Sequence, residues 1–181
     1  MKKIVFVTGN YNKFIEVRDI FAKKGISVIQ KKEDYPEIQS NSLEEIAEYG
    51  VQYLVKKLNK AVMMDDTGLF IEVLNGFPGP YSAFVDKCIG NKKILKLMEG
   101  ELNRNALFKT VVGYCEPNNE PILSVGIVKG KIADKERGLH GFGYDPIFEY
   151  DGKTFGEMAE EDKNEISHRR MALNEFLKLV G

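Results

Sequence analysis

Cysteine is scarce in this chain of 181 residues: there are two, Cys88 and Cys115. They make no C-x-x-C pair and no cluster with other ligand types, so a thiolate metal site has no support. The two could form one disulfide, but reduced thiols in a cytosolic protein are the simpler reading. An excess of one charge is also missing. A formal net charge of −1 gives no general electrostatic grip on nucleic acid, though it leaves room for a local cationic pocket around a small anion. Long hydrophobic runs are absent too. Met1-Lys2-Lys3 before Ile4-Val5-Phe6-Val7 has the start of a signal-peptide pattern. The apolar run then stops at Thr8-Gly9-Asn10, too short for an h-region. No stretch approaches transmembrane length. Internal repeats, low-complexity tracts and interdomain linkers are lacking. The expectation is a soluble, cytoplasmic protein that engages neither membrane nor nucleic acid.

What is present suits a folded protein. The chain is 43% hydrophobic and 29% charged, enough for a core in a single domain over residues 1–181 with room for two lobes. Ile4 to Val7 is β-branched and aromatic and predicts a buried first strand. From Asn12 to Lys24, Phe14, Ile15, Val17, Ile20 and Phe21 recur at roughly helical spacing, with Asn10 or Asn12 as cap and Gly25 as stop. Strand, turn and helix start in that order expose backbone N–H groups beside Lys13. That is either an anion site or an ordinary strand–helix turn. Ser27 to Gln30 predicts a second strand, and Ser42-Leu43-Glu44-Glu45 a capping box opening a helix that runs to Leu58.

The stretch Ala61-Val62-Met63-Met64-Asp65-Asp66-Thr67-Gly68 runs from apolar residues straight into two carboxylates. It predicts a buried strand ending in two acids, with Leu69 to Leu74 as a further extended segment. Buried carboxylates are costly unless a metal, a Lys or Arg, or a helix N-terminus meets them. The plainer alternative is an Asp capping a turn. Asn75 to Ser82 holds two Gly and two Pro, a constrained loop that is either a structural corner or a ligand wall. Short helices follow over Ser82–Cys88, with Ser82 as cap, and over Gly90–Glu99. Arg104–Cys115 and Ile122–Ile132 predict an antiparallel hairpin. Ile147-Phe148 begins a short strand, and the acidic stretch from Met158 to Ile166 turns helical. Ser167 can cap a last helix that runs to Val180, with His168 and Arg169 in its first turn. A cation there opposes the helix dipole, so Arg169 is expected to face an anion or acceptor, unless it is an ordinary surface arginine. His168 alone reads as a satisfied helix-end histidine.

Taken together, these are parts that can hold a metal–polyphosphate and a planar base. Hydroxyl, amide, Lys and backbone donors suit phosphate. Carboxylates suit Mg²⁺, which keeps several waters and phosphate oxygens. An aromatic in a Gly-rich loop suits the face of a base.

The order T-G-N-x-x-K (Thr8 to Lys13), D-D-T-G-L (Asp65 to Leu69), G-F-P-G-P-Y-S (Gly76 to Ser82), G-F-G-Y-D-P-I-F (Gly141 to Phe148) and K-N-E-I-S-H-R (Lys163 to Arg169) resembles the inosine triphosphate pyrophosphatase family, also called Ham1-like. The resemblance spans almost the whole chain, in order. It implies a mixed α/β fold: a long, twisted central sheet with two lobes flanking a nucleotide-binding cleft. It implies a homodimer that uses Mg²⁺, with Mn²⁺ as a substitute, to hydrolyse ITP, dITP and XTP to the monophosphate and pyrophosphate. By position, Thr8, Gly9, Asn10 and Lys13 would bind phosphates, with Lys13 also catalytic. Glu37 and Asp66 would bind metal, and Asp66 would accept the proton of the attacking water. Asp65 would be a supporting or alternative metal ligand. Thr67 would contact substrate. Phe142, Gly143, Tyr144 and Asp145 would stack on and line the base. Lys163, His168 and Arg169 would reach the base and the phosphate region. One departure stands out: Phe84 occupies a position where many bacterial members have Arg.

The chemistry fits these residue types. Hydrolysis needs water activated beside phosphorus and charge neutralised on the phosphoryl oxygens. A metal with Lys13 serves the second need, and a carboxylate beside the metal the first. Hypoxanthine and xanthine carry a 6-oxo acceptor where adenine has a 6-amino donor, so donors aimed there would reject adenine. Two other readings are a related pyrophosphatase for modified pyrimidine triphosphates and a non-catalytic nucleotide- or RNA-binding protein. Base choice separates the first, and turnover the second.

Overall fold

Strand β1 (Lys3–Val7) shows how the first half of the chain packs. Its side chains alternate between two cores, as the period of two requires. Ile4 and Phe6 join Val17 and Phe21 of α1 (Tyr11–Ala22) and Ala172, Leu173 and Phe176 of α5 (His168–Val180). Val5 and Val7 join Val51, Leu54 and Val55 of α2 (Leu43–Leu58). A strand buried on both faces reads as a continuous apolar run, which is why Ile4 to Val7 shows no alternation.

The computed structural model describes residues 3–180. Met1 and Lys2, the first residues of the signal-like start, lie outside the described residues, as does Gly181. The fold is mixed α/β around an open sheet of eight strands. The remaining strands are β2 (Ser27–Lys31), β3 (Val62–Ile71), β4 (Pro78–Gly79), β5 (Asn105–Cys115), β6 (Ile122–Ile132), β7 (Phe148–Tyr150) and β8 (Lys153–Thr154). Their order is β2-β1-β3-β5-β6-β7-β8, with β4 paired to β3 off that path. β1 is parallel to β2 and β3, whereas β3–β4, β6–β7 and β7–β8 are antiparallel. Helices α3 (Ser82–Leu97) and α4 (Glu160–Ile166) complete the set. Among the described residues, no helix is long and apolar enough to cross a membrane.

The chain forms two compact units. The first comprises residues 1–66, 110–126 and 169–181, the second residues 67–109 and 127–168. The second has its own core, in which Phe108, Phe148 and Phe155 meet with ring centroids 4.5 to 6.0 Å apart.

Two expectations change. The acidic pair does not end a strand, because β3 continues without a break from Val62 to Ile71 and a 3-10 turn, Glu72–Leu74, follows it. Ser82 does not cap a helix. Its Oγ accepts from the Leu69 N–H at 2.8 Å and donates to the Gly79 carbonyl at 2.6 Å, tying β3 to β4. The two short helices are both present: α3 is two helical segments that meet at a kink at Gly90 (φ 65°), a conformation open to glycine. The Ser42 capping box is half made. Ser42 accepts from the Glu45 N–H, but the Glu45 carboxylate returns through the Ser40 hydroxyl at 2.6 Å. Asn10, not Asn12, caps α1.

Candidate functional site

In the first unit, the turn between β1 and α1 is ordered by its own side chains. Thr8 Oγ1 accepts from the Asn10 N–H at 3.1 Å, and Asn10 Oδ1 accepts from the N–H groups of Asn12 and Lys13 at 2.9 and 3.3 Å. Gln30 Nε2 donates to the Thr8 carbonyl at 3.2 Å. Two of the helix N–H groups expected to face an anion are thus engaged by Asn10. What the turn presents beyond its backbone is Lys13, in the first turn of α1.

Strand geometry separates the two acids. Successive side chains point to opposite faces of the sheet. Met63 packs on the α1/α5 core, and Val62 and Met64 on the α2 core. Asp65 continues the Met63 face and Asp66 the Met64 face. Asp65 accordingly meets helices α1 and α5. Its Oδ2 accepts from Lys13 Nζ at 3.0 Å and from Arg169 Nε at 3.1 Å. Arg169 is held a second time, by Glu16 Oε2 at 2.8 Å from its Nη1. The Asp65 side chain is 1% exposed and that of Arg169 6%. Burial by itself pushes the Asp65 carboxyl up. Lys13 and then Arg169 outweigh it and hold the group at about 2. Arg169 is pushed up in turn: burial opposes its charge, but Asp65 and Glu16 prevail.

Asp66 points toward the α2 face, where the ring of Tyr35 lies. A Cβ on Gly50 of α2 would come within 2.6 Å of the Met64 sulfur and 3.1 Å of the Tyr35 ring, so the helix passes closely over both. The Tyr35 hydroxyl is pushed well above its ordinary range by burial first, then by the charges of Glu37, Asp66 and Asp65. Glu37, exposed on its loop, and Asp66 both act on the Tyr35 hydroxyl. Among the described residues, no group of three or more His, Cys, Asp or Glu side chains gathers as a metal cage. A pair of carboxylates fits Mg²⁺, which takes few protein ligands, and does not fit Zn²⁺, which takes three or four.

In the second unit, the Gly141–Pro146 loop is built on Asp145. This buried carboxylate accepts from the Phe142 N–H at 2.7 Å and from Lys163 Nζ at 2.6 Å, both through Oδ2. Gly141 is in the left-handed region, and a Cβ there would lie 2.1 Å from that same oxygen. Lys163 thereby sits 5.0 Å from the ring centroid of Phe142, a residue that is 44% exposed. The loop is anchored twice to α3: Asn91 Nδ2 donates to the Gly143 carbonyl at 2.9 Å, and the Tyr144 hydroxyl to the Ser82 carbonyl at 2.8 Å. Tyr144 is buried in the core, and burial pushes its hydroxyl well up. His168 is also buried, with its ring 4.8 Å from that of Phe108. Thr67 is half-buried on β3, next to Asp66.

The first unit brings Lys13, Asp65 and Arg169 into contact, and the second Phe142, Asp145 and Lys163. Glu16 and Asn91 join these two groups without belonging to any of the five motifs. Glu16 lies three residues after Lys13 and hence on the same helix face, a spacing visible in the sequence. No sequence signal marks Asn91. A surface pocket lined by Tyr114, Glu116, Ile122 and Leu179 holds none of these residues.

The sequence profile of the Ham1 family matches residues 4–179. The dITP/XTP pyrophosphatase of Methanosarcina mazei is 62% identical over 178 residues, covering 98% of this chain and 97% of the relative. The dITP/XTP pyrophosphatase of Methanopyrus kandleri is 54% identical, covering 96% and 94%. Among solved structures, the Ham1 protein of Staphylococcus aureus superposes with a TM-score of 0.88 at 34% identity, covering 99% of this chain and 98% of that one. A HAM1 protein of Coxiella burnetii superposes with a TM-score of 0.90 at 29% identity over the same shares.

Proposed function

The chain belongs to the Ham1 family, and on that premise we propose that it hydrolyses deaminated purine nucleoside triphosphates, dITP, ITP and XTP, to the monophosphate and pyrophosphate. The observation that carries this reading is identity of 62% along the full chain to a dITP/XTP pyrophosphatase.

The geometry supports the chemistry. Glu37 and Asp66 would hold Mg²⁺, which when bound supplies charge to the phosphate oxygens and acidity to a water. Lys13 is the cation that reaches the phosphates, because its side chain is 19% exposed while that of Arg169 is 6%. Asp66 takes the proton of the attacking water. The water oxygen bonds to phosphorus, the anhydride bond between the first and second phosphates breaks, and pyrophosphate leaves. Phe142 offers a ring face to the base, and Asp145 holds Lys163 and the loop backbone in place. Gly143 is pinned by Asn91, so loop N–H groups are preorganised to meet a 6-oxo acceptor. Thr8, Gly9 and Asn10 shape the turn beneath the phosphates. A cytoplasmic homodimer belongs to the same reading. Phe77, Tyr81 and Phe84 are 40%, 42% and 67% exposed within one short segment, apolar surface that a second copy would cover.

The test is turnover of ITP, dITP, XTP, dTTP and ATP with and without Mg²⁺, with both phosphate products quantified. Pyrophosphate and the monophosphate should form from ITP, dITP and XTP only with the metal. Orthophosphate as the first product would overturn the cleavage position, and a preference for dTTP would favour the pyrimidine alternative. Asp66→Asn should lower kcat by roughly 10²–10⁴-fold, the worth of a general base, while keeping the melting profile. A near-normal kcat would remove Asp66 as the base.

A further inference from the structure

We propose that Asp65 is a positioning residue for this reaction: it holds Lys13 beside Arg169 on the α1/α5 face of β3 and keeps that lysine away from Asp66. The proposal rests on the pyrophosphatase reading for its kinetic consequence, and on the ion-pair geometry for its substance.

A flexible lysine near two adjacent carboxylates can pair with either. Pairing with Asp66 would cancel the charge that metal and water need. Here the alternation of β3 turns the two carboxylates to opposite faces, and Asp65 Oδ2 takes Lys13 Nζ at 3.0 Å. Arg169 Nε holds the same oxygen at 3.1 Å, and Glu16 fixes that arginine from the other side at 2.8 Å. Asp65 Oδ2 is thereby held by two cations, and its other oxygen, Oδ1, is buried without a hydrogen-bond partner. Of the two cations, Lys13 has the solvent-reachable side chain. An arriving polyphosphate can draw on Lys13 while Arg169 continues to satisfy the carboxylate. A metal would have to displace one of two cations from Oδ2 or reach a carboxylate that is 1% exposed, which makes Asp65 a poor metal ligand.

Two measurements on the full chain test this. The first is the ¹H–¹⁵N signal of the Lys13 ammonium, identified by its loss in Lys13→Gln. It should be protected from exchange in the wild type, vanish in Asp65→Asn and persist in Asp66→Asn. The opposite pattern would overturn the proposal, and this arm needs no turnover. The second is ITP hydrolysis with Mg²⁺ titrated. Asp65→Asn should lower kcat about tenfold to a hundredfold by misplacing Lys13. In the Lys13→Gln background the same change should cost no more than about twofold, because the two residues act as a unit. Fully additive losses, or a loss restored by raising Mg²⁺, would make Asp65 an independent group or a metal ligand. Should Asp65→Asn fail to fold, by near-ultraviolet circular dichroism, Asp65→Glu takes its place in the cycle and should keep more turnover than Asp65→Ala. A wild-type chain that turns over no triphosphate ends the pyrophosphatase reading and leaves the ammonium signal to decide the role of Asp65.

Discussion

Asp65, Asp66 and Asp145 share a side chain and differ in what surrounds it. Asp65 faces Lys13 and Arg169, Asp66 shares the α2 face with Tyr35, and Asp145 faces Lys163 and the Phe142 N–H. Charge-assisted hydrogen bonds in partly dry surroundings are each worth about 1.5–3 kcal/mol. Asp145→Asn removes the charge, keeps the shape and weakens both contacts. It should destabilise the chain by about 2 kcal/mol in urea unfolding. It should also raise the KM for ITP more than it lowers kcat, since Lys163 and the loop serve the base and not the reacting phosphorus. A kcat loss with unchanged KM would place Asp145 in the chemical step instead.

At the scale of elements, β3 does the most. It carries core residues of both faces, then the two acids, then Thr67 and Gly68. Gly68 lets the chain at Gly79 come close: a Cβ would stand 2.5 Å from the Gly79 carbonyl oxygen and 2.9 Å from both its carbon and the Phe70 ring. Those neighbours are largely backbone held by the β3–β4 pairing and cannot yield like the end of a flexible side chain. Gly68→Ala should therefore cost about 1–3 kcal/mol, the usual range for overpacking, and lower the urea midpoint accordingly. An unchanged midpoint would mean that the β4 turn is free to move. The break of α3 at Gly90 matters for a different reason. It sets the direction of the following turn, from which Asn91 reaches the Gly143 carbonyl.

For the whole molecule, the shifted groups define a pH window. Asp65 lies at about 2 against 3.8, and Glu33 at about 2 against 4.5 because Lys31 and then Lys57 pair with it. The Glu157 carboxylate is lowered first by the Thr154 N–H. A carboxyl lowered by folding adds stability that is present above its unfolded value and is lost as pH falls toward the folded one. Tyr35, Tyr114 and Tyr144 are raised from 10.0, with burial the largest cause. Their contribution is complete below that value and is lost as pH rises beyond it. The Cys115 thiol is likewise raised from 9.0, by burial first, so the urea midpoint should be flat between pH about 5 and about 8 and fall on both sides, with the acid limb between about 4.5 and 2. A decline beginning near pH 6.5 would instead assign the acid limb to a histidine.

The local elements are legible in the residues alone: the apolar run of β1, the Ser42 cap of α2, the periodic stripes of α1 and α5 and the two long strands. Each rests on neighbours within a few residues, so the chain carries its own signal. Five motifs in order also carried the family. How those residues are used is set by packing between distant segments. Asp65 and Asp66 are adjacent in sequence and read as a pair, yet β alternation sends them to opposite faces. Which face meets cations depends on where α1 and α5 pack, and Arg169 lies 104 residues away from its partner Asp65. Ser82 looked like a helix cap because capping is a local pattern, but it bonds to Leu69 and Gly79, which come near it only through the β3–β4 pairing. Asn91 gave no signal at all, since its partner Gly143 is 52 residues on. Contacts of that length depend on how the elements pack against one another, and no periodicity within the chain records them.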